Sequence, residues 1–153
     1  IPNPLDKQLD YNYTGDFSVQ FYKKNLLILE LNGYNYPFGA AHGMPTQIMV
    51  PIDISTGKIY ELKDLFKSNS DYIKVLSDLV AEQIQENPDN YFPDSFKGIQ
   101  PDQPFYVSSD ALFLYFTPYE IAPYAAGFPT FEIPFKQINN IIDKKGAFWR
   151  SFH

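Results

Sequence analysis

Four prolines lie in the stretch from Tyr115 to Phe135, YFTPYEIAPYAAGFPTFEIPF, and they constrain the fold more than any other feature of the chain. Pro118, Pro123 and Pro129 remove backbone donors and restrict φ, so no regular helix can run through this part of the sequence. The residues before it form an apolar, aromatic run, and those after it alternate apolar with polar or proline, as strands do. The pattern therefore predicts a stiff, irregular loop between two strands.

This loop has two interpretations. Tyr119, Ile121, Tyr124 and Phe128 would be displayed on a rigid, non-regular segment, which is typical of a recognition loop. Alternatively, these side chains cap the core between the two strands, since aromatic residues are more often packed than exposed for contact. The sequence leaves both interpretations open.

The composition predicts one folded domain. The chain has 153 residues, of which 44% are hydrophobic and 20% charged, and its 14 Phe and 12 Tyr supply ample apolar area for a core. We therefore expect a single domain over residues 1–153. Because the chain starts at Ile1 rather than Met, we expect it to be a processed piece of a longer protein.

The formal charge of −6 bears on the kind of partner. Nucleic-acid phosphates require a basic patch, and the 12 Lys and Arg residues form no visible cluster in the sequence, so a nucleic-acid partner is not expected. A cationic partner is the better electrostatic match. No apolar run approaches the roughly 20 residues of a membrane helix, so we expect no membrane segment in this chain.

The pattern of strands and helices predicts an α+β fold. Strands are expected over residues 16–22, 25–36, 46–54, 105–107, 112–116 and 131–135, most of them joined by short turns. In the second strand Leu27, Leu29 and Leu31 alternate with Ile28, Glu30 and Asn32, which indicates one buried face. One main helix is expected at about residues 70–87, with Ile73, Leu76, Val80 and Ile84 on its apolar side.

We therefore predict a mostly antiparallel sheet packed against the main helix, with a short C-terminal helix at 135–142. The tail ends in FWRSFH, where Trp149 either docks on the body or belongs to a longer native chain.

Catalytic and cofactor sites are not expected. The chain has no Cys, and GxSxG, P-loop, GxGxxG and HExxH spacings are all absent, so we expect no metal site, no cofactor and no enzyme activity. His42 lies in the Gly- and Pro-rich stretch PFGAAHGMP and is either a cleft-side imidazole or a structural histidine bound to local backbone. Glu120 is the acid of most interest because Tyr119 and Ile121 flank it, although an anchoring role is more usual than catalysis for such an acid.

Three segments together carry a family resemblance: AAHGMP at 40–45, DISTGKIYELKDLF at 53–66, and the stretch 115–135. Their order and spacing resemble the extracytoplasmic domain-of-unknown-function family found in the lysozyme-sensing anti-sigma factor of sigma-V and in the non-catalytic N-terminal part of some peptidoglycan deacetylases. The similarity runs from about Asp10 to Ile142. Family members have more sequence before the equivalent of Asp16, so we expect this chain to lack upstream family sequence.

The resemblance implies a Gram-positive cell-envelope module, secreted or anchored to the membrane outside this chain. The first hypothesis is a non-enzymatic sensor that binds a cationic protein such as lysozyme. Its partner-binding residues would be Pro118, Tyr119, Glu120, Pro123 and Tyr124, with His42 beside them. The alternative is an accessory module that binds cell-wall glycan and holds a parent enzyme, such as a polysaccharide deacetylase, on peptidoglycan. The metal-binding histidine motif of the deacetylases is absent, so their activity is not expected here.

Overall fold

Six strands form two antiparallel sheets of three strands each in the computed structural model, which describes residues 11–37 and 44–153. The first sheet has the order β1-β2-β3 and the second the order β4-β5-β6. The strands are β1 (Tyr11–Lys23), β2 (Leu26–Pro37), β3 (Met44–Asp53), β4 (Phe105–Val107), β5 (Ala111–Tyr115) and β6 (Thr130–Pro134). The sequence predicted strands close to all six of these positions but did not show that they divide into two sheets.

The main helix α1 (Tyr72–Glu86) confirms the prediction for residues 70–87. Leu76 and Val80 are fully buried, while the other predicted apolar positions pack at the border of the core. The helix lies beside β6, where the Gln83 side chain donates to the Glu132 carbonyl over 2.9 Å. The α+β class, with antiparallel sheet and one main helix, is therefore confirmed.

The short C-terminal helix α2 is at Ala147–Ser151 and not at residues 135–142. A single 3₁₀ turn covers Phe135–Gln137, and the chain then pairs its backbone with the segment that follows the 3₁₀ turn at Leu62–Leu65. Phe66 forms a bridge with Ile142, and Asp143 N–H donates to the Leu65 carbonyl over 3.0 Å. Ile138, Ile141 and Ile142 are buried in this non-helical segment, although their spacing in the sequence resembles that of a helix.

The C-terminal tail docks on the body. Phe148 and Phe152 are buried in the core, and Trp149 packs against it. The Phe148 ring stacks on Tyr60 with centroids 4.5 Å apart, and Asn25 N–H donates to the Ser151 carbonyl over 2.9 Å. The tail is therefore part of the fold, as one of the two sequence interpretations held.

Alternation in the sequence did not show which face of the first sheet is buried. In β2 the buried side chains are Leu26 and Ile28, whereas Leu31, on the opposite face, is 39% exposed. One face of this strand is buried, but it is the face of Ile28 and not the face of the three alternating leucines. The opposite, outer face is apolar and solvent-exposed across the sheet, with Phe17 and Leu31 paired on it and Leu31 paired in turn with Ile48.

Candidate functional site

The loop from Thr117 to Gly127 connects β5 to β6 and is anchored at its ends and middle. Phe116 N–H donates to the Pro129 carbonyl over 2.9 Å, which closes the base of the loop. In the middle, the Ile121 carbonyl accepts from Phe92 N–H over 2.8 Å. Ile121 and Ala122 are 2% and 1% exposed, so this middle part is fixed into the core. The loop is thus held in one conformation by buried contacts on a rigid scaffold, as recognition loops are.

The first turn of the loop is stabilised by Glu120. Its carboxylate accepts hydrogen bonds from the backbone N–H and the hydroxyl of Thr117, each over 3.1 Å. Glu120 N–H donates back to the Thr117 carbonyl over 3.2 Å. Tyr119, between them, has φ +70°, an uncommon conformation for a residue other than glycine. Glu120 is exposed and holds the turn that presents the Tyr119 ring, which is 48% exposed.

The second turn is a 3₁₀ segment at Tyr124–Ala126, preceded by Pro123 and ended by Gly127. Gly127 has φ +66° and ψ −127°, a backbone conformation in which an L side chain is strained. Pro123 with its fixed φ before the turn and glycine after it together set the direction of the Tyr124 side chain. The same proline and glycine that exclude a regular helix here thus define the conformation of this turn.

Three tyrosines meet at the surface of this loop, and we call them the tyrosine cluster: Tyr34, Tyr119 and Tyr124. The rings of Tyr119 and Tyr124 lie 5.5 Å apart between centroids. Tyr34, on β2, shares a hydrogen bond with Tyr124, and this bond is the main reason that the pKa of the Tyr124 hydroxyl is raised. All three rings retain solvent exposure, Tyr34 being 37% exposed. The cluster therefore links the first sheet to the loop of the second.

The structure brings together most of the predicted partner-binding residues. Tyr119, Glu120, Pro123 and Tyr124 all reach the surface of one loop, Pro123 being exposed. Pro118 is buried and supports the loop from beneath. His42 lies outside the described residues. Tyr34 was missed in the sequence because nothing local connects β2 to a loop so much later in the chain.

A separate cleft of about 450 Å³ lies between β3 and the segment before β4. At its wall the Tyr115 hydroxyl donates to the Gln47 carbonyl over 3.2 Å, and burial raises the pKa of Tyr115 to about 12. Gln103 is buried and donates to the Tyr115 carbonyl over 2.7 Å. Because these polar groups form hydrogen bonds within the protein, we interpret the cleft as a structural junction between the two sheets.

Neither region presents a catalytic arrangement in the described part of the chain. Glu120 bonds to Thr117, and among residues 11–37 and 44–153 no histidine or second acid is hydrogen-bonded to it. Over residues 11–37 and 44–153, no group of three or more His, Cys, Asp or Glu side chains is placed to hold a metal ion. In the same ranges, no helix has the length and hydropathy to span a bilayer. What the loop offers chemically is a rigid, amphipathic aromatic surface.

The comparison with protein families matches residues 63–136 to DUF3298, described as a protein of unknown function. This match to the DUF3298 family model confirms the resemblance predicted from the sequence. The matched segment includes α1, the second sheet and the whole loop with Tyr119 and Tyr124.

Two curated proteins of Bacillus subtilis strain 168 are similar to this chain. It is 36% identical over 104 residues to the anti-sigma-V factor RsiV, an alignment that covers 61% of this chain and 36% of RsiV. It is 27% identical over 113 residues to the peptidoglycan-N-acetylmuramic acid deacetylase PdaC, covering 70% of this chain and 24% of PdaC. The chain therefore spans about a third of one relative and a quarter of the other.

Two crystal structures of DUF3298 proteins share the fold. A member from Bacteroides fragilis NCTC 9343 superimposes with a TM-score of 0.73 at 25% identity, covering 87% of this chain and 55% of that one. A member from Pseudomonas aeruginosa PAO1 gives a TM-score of 0.69 at 22% identity, covering 87% of this chain and 62% of that one. Both solved relatives are longer than the part they share with this chain.

Proposed function

We propose that this chain is a non-enzymatic, extracytoplasmic sensor domain that binds a cationic protein such as lysozyme through the tyrosine cluster. The observation that carries the proposal is the pair formed by the exposed Tyr119 and the half-buried Tyr124 at the surface of a loop whose middle is buried. Tyrosine offers large contact area at low cost in side-chain entropy, and rigid aromatic residues are frequent anchors of protein interfaces. A preorganised loop loses little conformational freedom on binding.

The charge of the chain supports a cationic partner. The formal net charge is −6, and Glu120 and Asp94 are exposed acids on the loop and on the neighbouring segment that is hydrogen-bonded to it. Charge complementarity of this kind raises the association rate and is weakened by salt. The similarity to an anti-sigma factor, RsiV, agrees with a role in protein binding. A Gram-positive cell envelope is the setting that this proposal assigns to the chain.

The second candidate is an accessory module that binds cell-wall glycan for a parent enzyme. The similarity to PdaC, a protein named for an activity on peptidoglycan, favours it. In this case the tyrosine rings would stack on sugar rings, and binding would depend little on salt. Sedimentation of the domain with purified cell wall, measured separately from its titration with lysozyme, distinguishes the two candidates.

The test of the loop is a pair of substitutions, Tyr119→Ala and Tyr124→Ala, measured by calorimetry against lysozyme. Each should weaken binding by about tenfold or more, the loss expected for an aromatic residue at the centre of an interface. The control is Tyr22→Ala, which removes a 61% exposed tyrosine near the end of β1 that lies away from the tyrosine cluster. This variant should leave the affinity for lysozyme unchanged.

Unfolding of the same variants completes this test. Tyr119 and Tyr124 lie at the surface, so their substitution should leave the unfolding transition cooperative and close to that of the unsubstituted chain. If both variants lose stability and their remaining folded fraction binds lysozyme normally, the cluster is packing and the proposed interface is wrong.

A further inference from the structure

Strand β1 forms a free edge of the first sheet. It pairs with β2 on one side, and in the described part of the chain no strand pairs with its other side. Every residue from Gly15 to Gln20 is exposed. An edge strand of this length presents a row of N–H and C=O groups that can pair with another strand, which proteins normally prevent with charges, proline or a covering element. Between Gly15 and Gln20, Asp16 is the single charged residue and there is no proline.

The exposed apolar residues of this edge share the outer face of the sheet. Phe17, Val19 and Tyr22 are 75%, 59% and 61% exposed. Phe17 pairs with Leu31 and Tyr22 pairs with Leu27, which places both on the outer face. They are five residues apart, an odd spacing that would normally put them on opposite faces. A bulge between Val19 and Phe21 restores the match.

The two charged residues of this part of β1 share the opposite face. Asp16 pairs with Asn32 and Lys23 pairs with Leu26, both on the side of the buried core residues. They carry opposite charges and stand on either side of the bulge. Lys23 Nζ is also 3.3 Å from the Ser109 hydroxyl of its own chain, an exposed contact that leaves further donors on the ammonium.

We propose that β1 is a self-association edge, on which a second copy of this chain pairs antiparallel about a two-fold axis between Val19 and Gln20. In this register Asp16 lies opposite Lys23 of the second copy, and Phe17 lies opposite its Tyr22. The two residues of each pair lie on the same face of the sheet, because the bulge shifts the alternation of side chains by one residue at the same point in both copies. The register therefore combines two charge pairs with two aromatic pairs, the combinations that stabilise neighbouring strands.

Self-complementarity is the reason to assign this edge to a second copy. A two-fold interface requires that residue i meets residue j and j meets i, and the Asp16–Lys23 and Phe17–Tyr22 pairs meet this condition without any change in sequence. The result is one continuous six-stranded sheet with both apolar outer faces on the same side. The inference goes beyond the proposed sensor function, since β1 and the loop bind through different side chains and each can fail alone.

The test is charge reversal with analytical ultracentrifugation over a range of protein concentrations. The unsubstituted chain should show a monomer–dimer equilibrium. Asp16→Lys and Lys23→Asp should each weaken the dimer by about tenfold, since each places like charges opposite each other twice per dimer. The double variant restores opposite charges and should return the dissociation constant to within about threefold of the original.

Matched controls account for net charge. Asp89→Lys and Lys97→Asp change the charge by the same amounts at exposed positions away from β1 and should leave the dimer unchanged. Circular dichroism checks that each variant is folded. A chain that is monomeric at every concentration overturns the proposal, and so does a dimer that withstands both single reversals or is not restored in the double variant. Lysozyme titration of the same variants reports separately on the sensor function.

Discussion

Asp53 is a buried carboxylate that holds the turn after β3. It is 5% exposed and accepts hydrogen bonds from Ser55 N–H over 2.9 Å and from the Tyr60 hydroxyl over 2.6 Å. The Ser55 side chain also donates to it. Hydrogen bonds from Ser55 and then Tyr60 lower the pKa of Asp53, while burial and the nearby carboxylate raise the pKa of Tyr60. The carboxylate is thus stabilised in its charged form, as a buried acid must be.

This network predicts an acid-dependent stability. Because the folded-state pKa of Asp53 lies below its ordinary value, its contribution is fully present above about pH 4 and is lost as the pH falls through the lowered pKa. Tyr60→Phe should lower the free energy of unfolding by about 1–3 kcal/mol at neutral pH, the value of a hydrogen bond to a charged group. It should also reduce the additional loss of stability that occurs as the pH falls below about 4.

Urea unfolding at several pH values measures this effect. Tyr106→Phe is the control, because Tyr106 is half-buried and its hydroxyl makes no hydrogen bond to Asp53. Equal pH dependence in the unsubstituted chain and in Tyr60→Phe would contradict the assignment of the lowered pKa to this network.

The residues in and around the tyrosine cluster differ in how much of their placement could be predicted from the sequence. Tyr119 and Tyr124 could be assigned to an irregular loop because proline and glycine act locally on the backbone, although the sequence left their exposure open. The burial of Pro118 and the pairing of Tyr124 with Tyr34 could not be predicted, since both depend on how the two sheets meet. His42 stays a prediction, as it lies outside the described residues.

At the scale of elements, α2 depends on the core for its stability. A helix of five residues is far too short to be stable alone. Phe152 has no exposed surface, and its ring lies 5.8 Å from that of Phe148 between centroids. The tail is therefore fixed by burial of aromatic rings.

Phe152→Ala should lower the free energy of unfolding by about 3–5 kcal/mol, since the substitution leaves a cavity in the core. Phe17→Ala removes the same ring from a site that is 75% exposed and should cost less than about 0.5 kcal/mol in dilute protein. Denaturant midpoints of the two variants check this difference. A Phe152→Ala loss as small as that of Phe17→Ala would show that the tail is not part of the cooperative fold.

The secondary-structure elements differed in how well the sequence predicted their positions. α1 and the β4–β5 hairpin were found because a long 3.6-residue period and a short polar turn are local signals. The short helix was placed at 135–142 because Ile138, Ile141 and Ile142 have helical spacing, whereas these residues are buried in a turn segment that pairs with Phe66 through Ile142. In β2, alternation showed that one face is buried but not which one, because both faces carry leucine or isoleucine.

At the scale of the whole molecule, two small sheets meet at a junction formed by Tyr115 and Gln47 and at a surface formed by the tyrosine cluster. The strand pattern could not reveal this division, since antiparallel pairing looks the same in one sheet of six strands and in two of three. The fold of the DUF3298 crystal structures has the same arrangement over 87% of this chain. The loop of the cluster is thus supported from both sheets.

Calorimetric titration with lysozyme at low and at physiological salt is the decisive test of whether this domain binds a cationic protein. We expect one-to-one, submicromolar binding that is tighter at low salt, because a chain of net charge −6 attracts a cationic partner through a field that salt screens. Absence of binding heat at both salt concentrations, with the domain shown to be folded in the same sample, would contradict the sensor function.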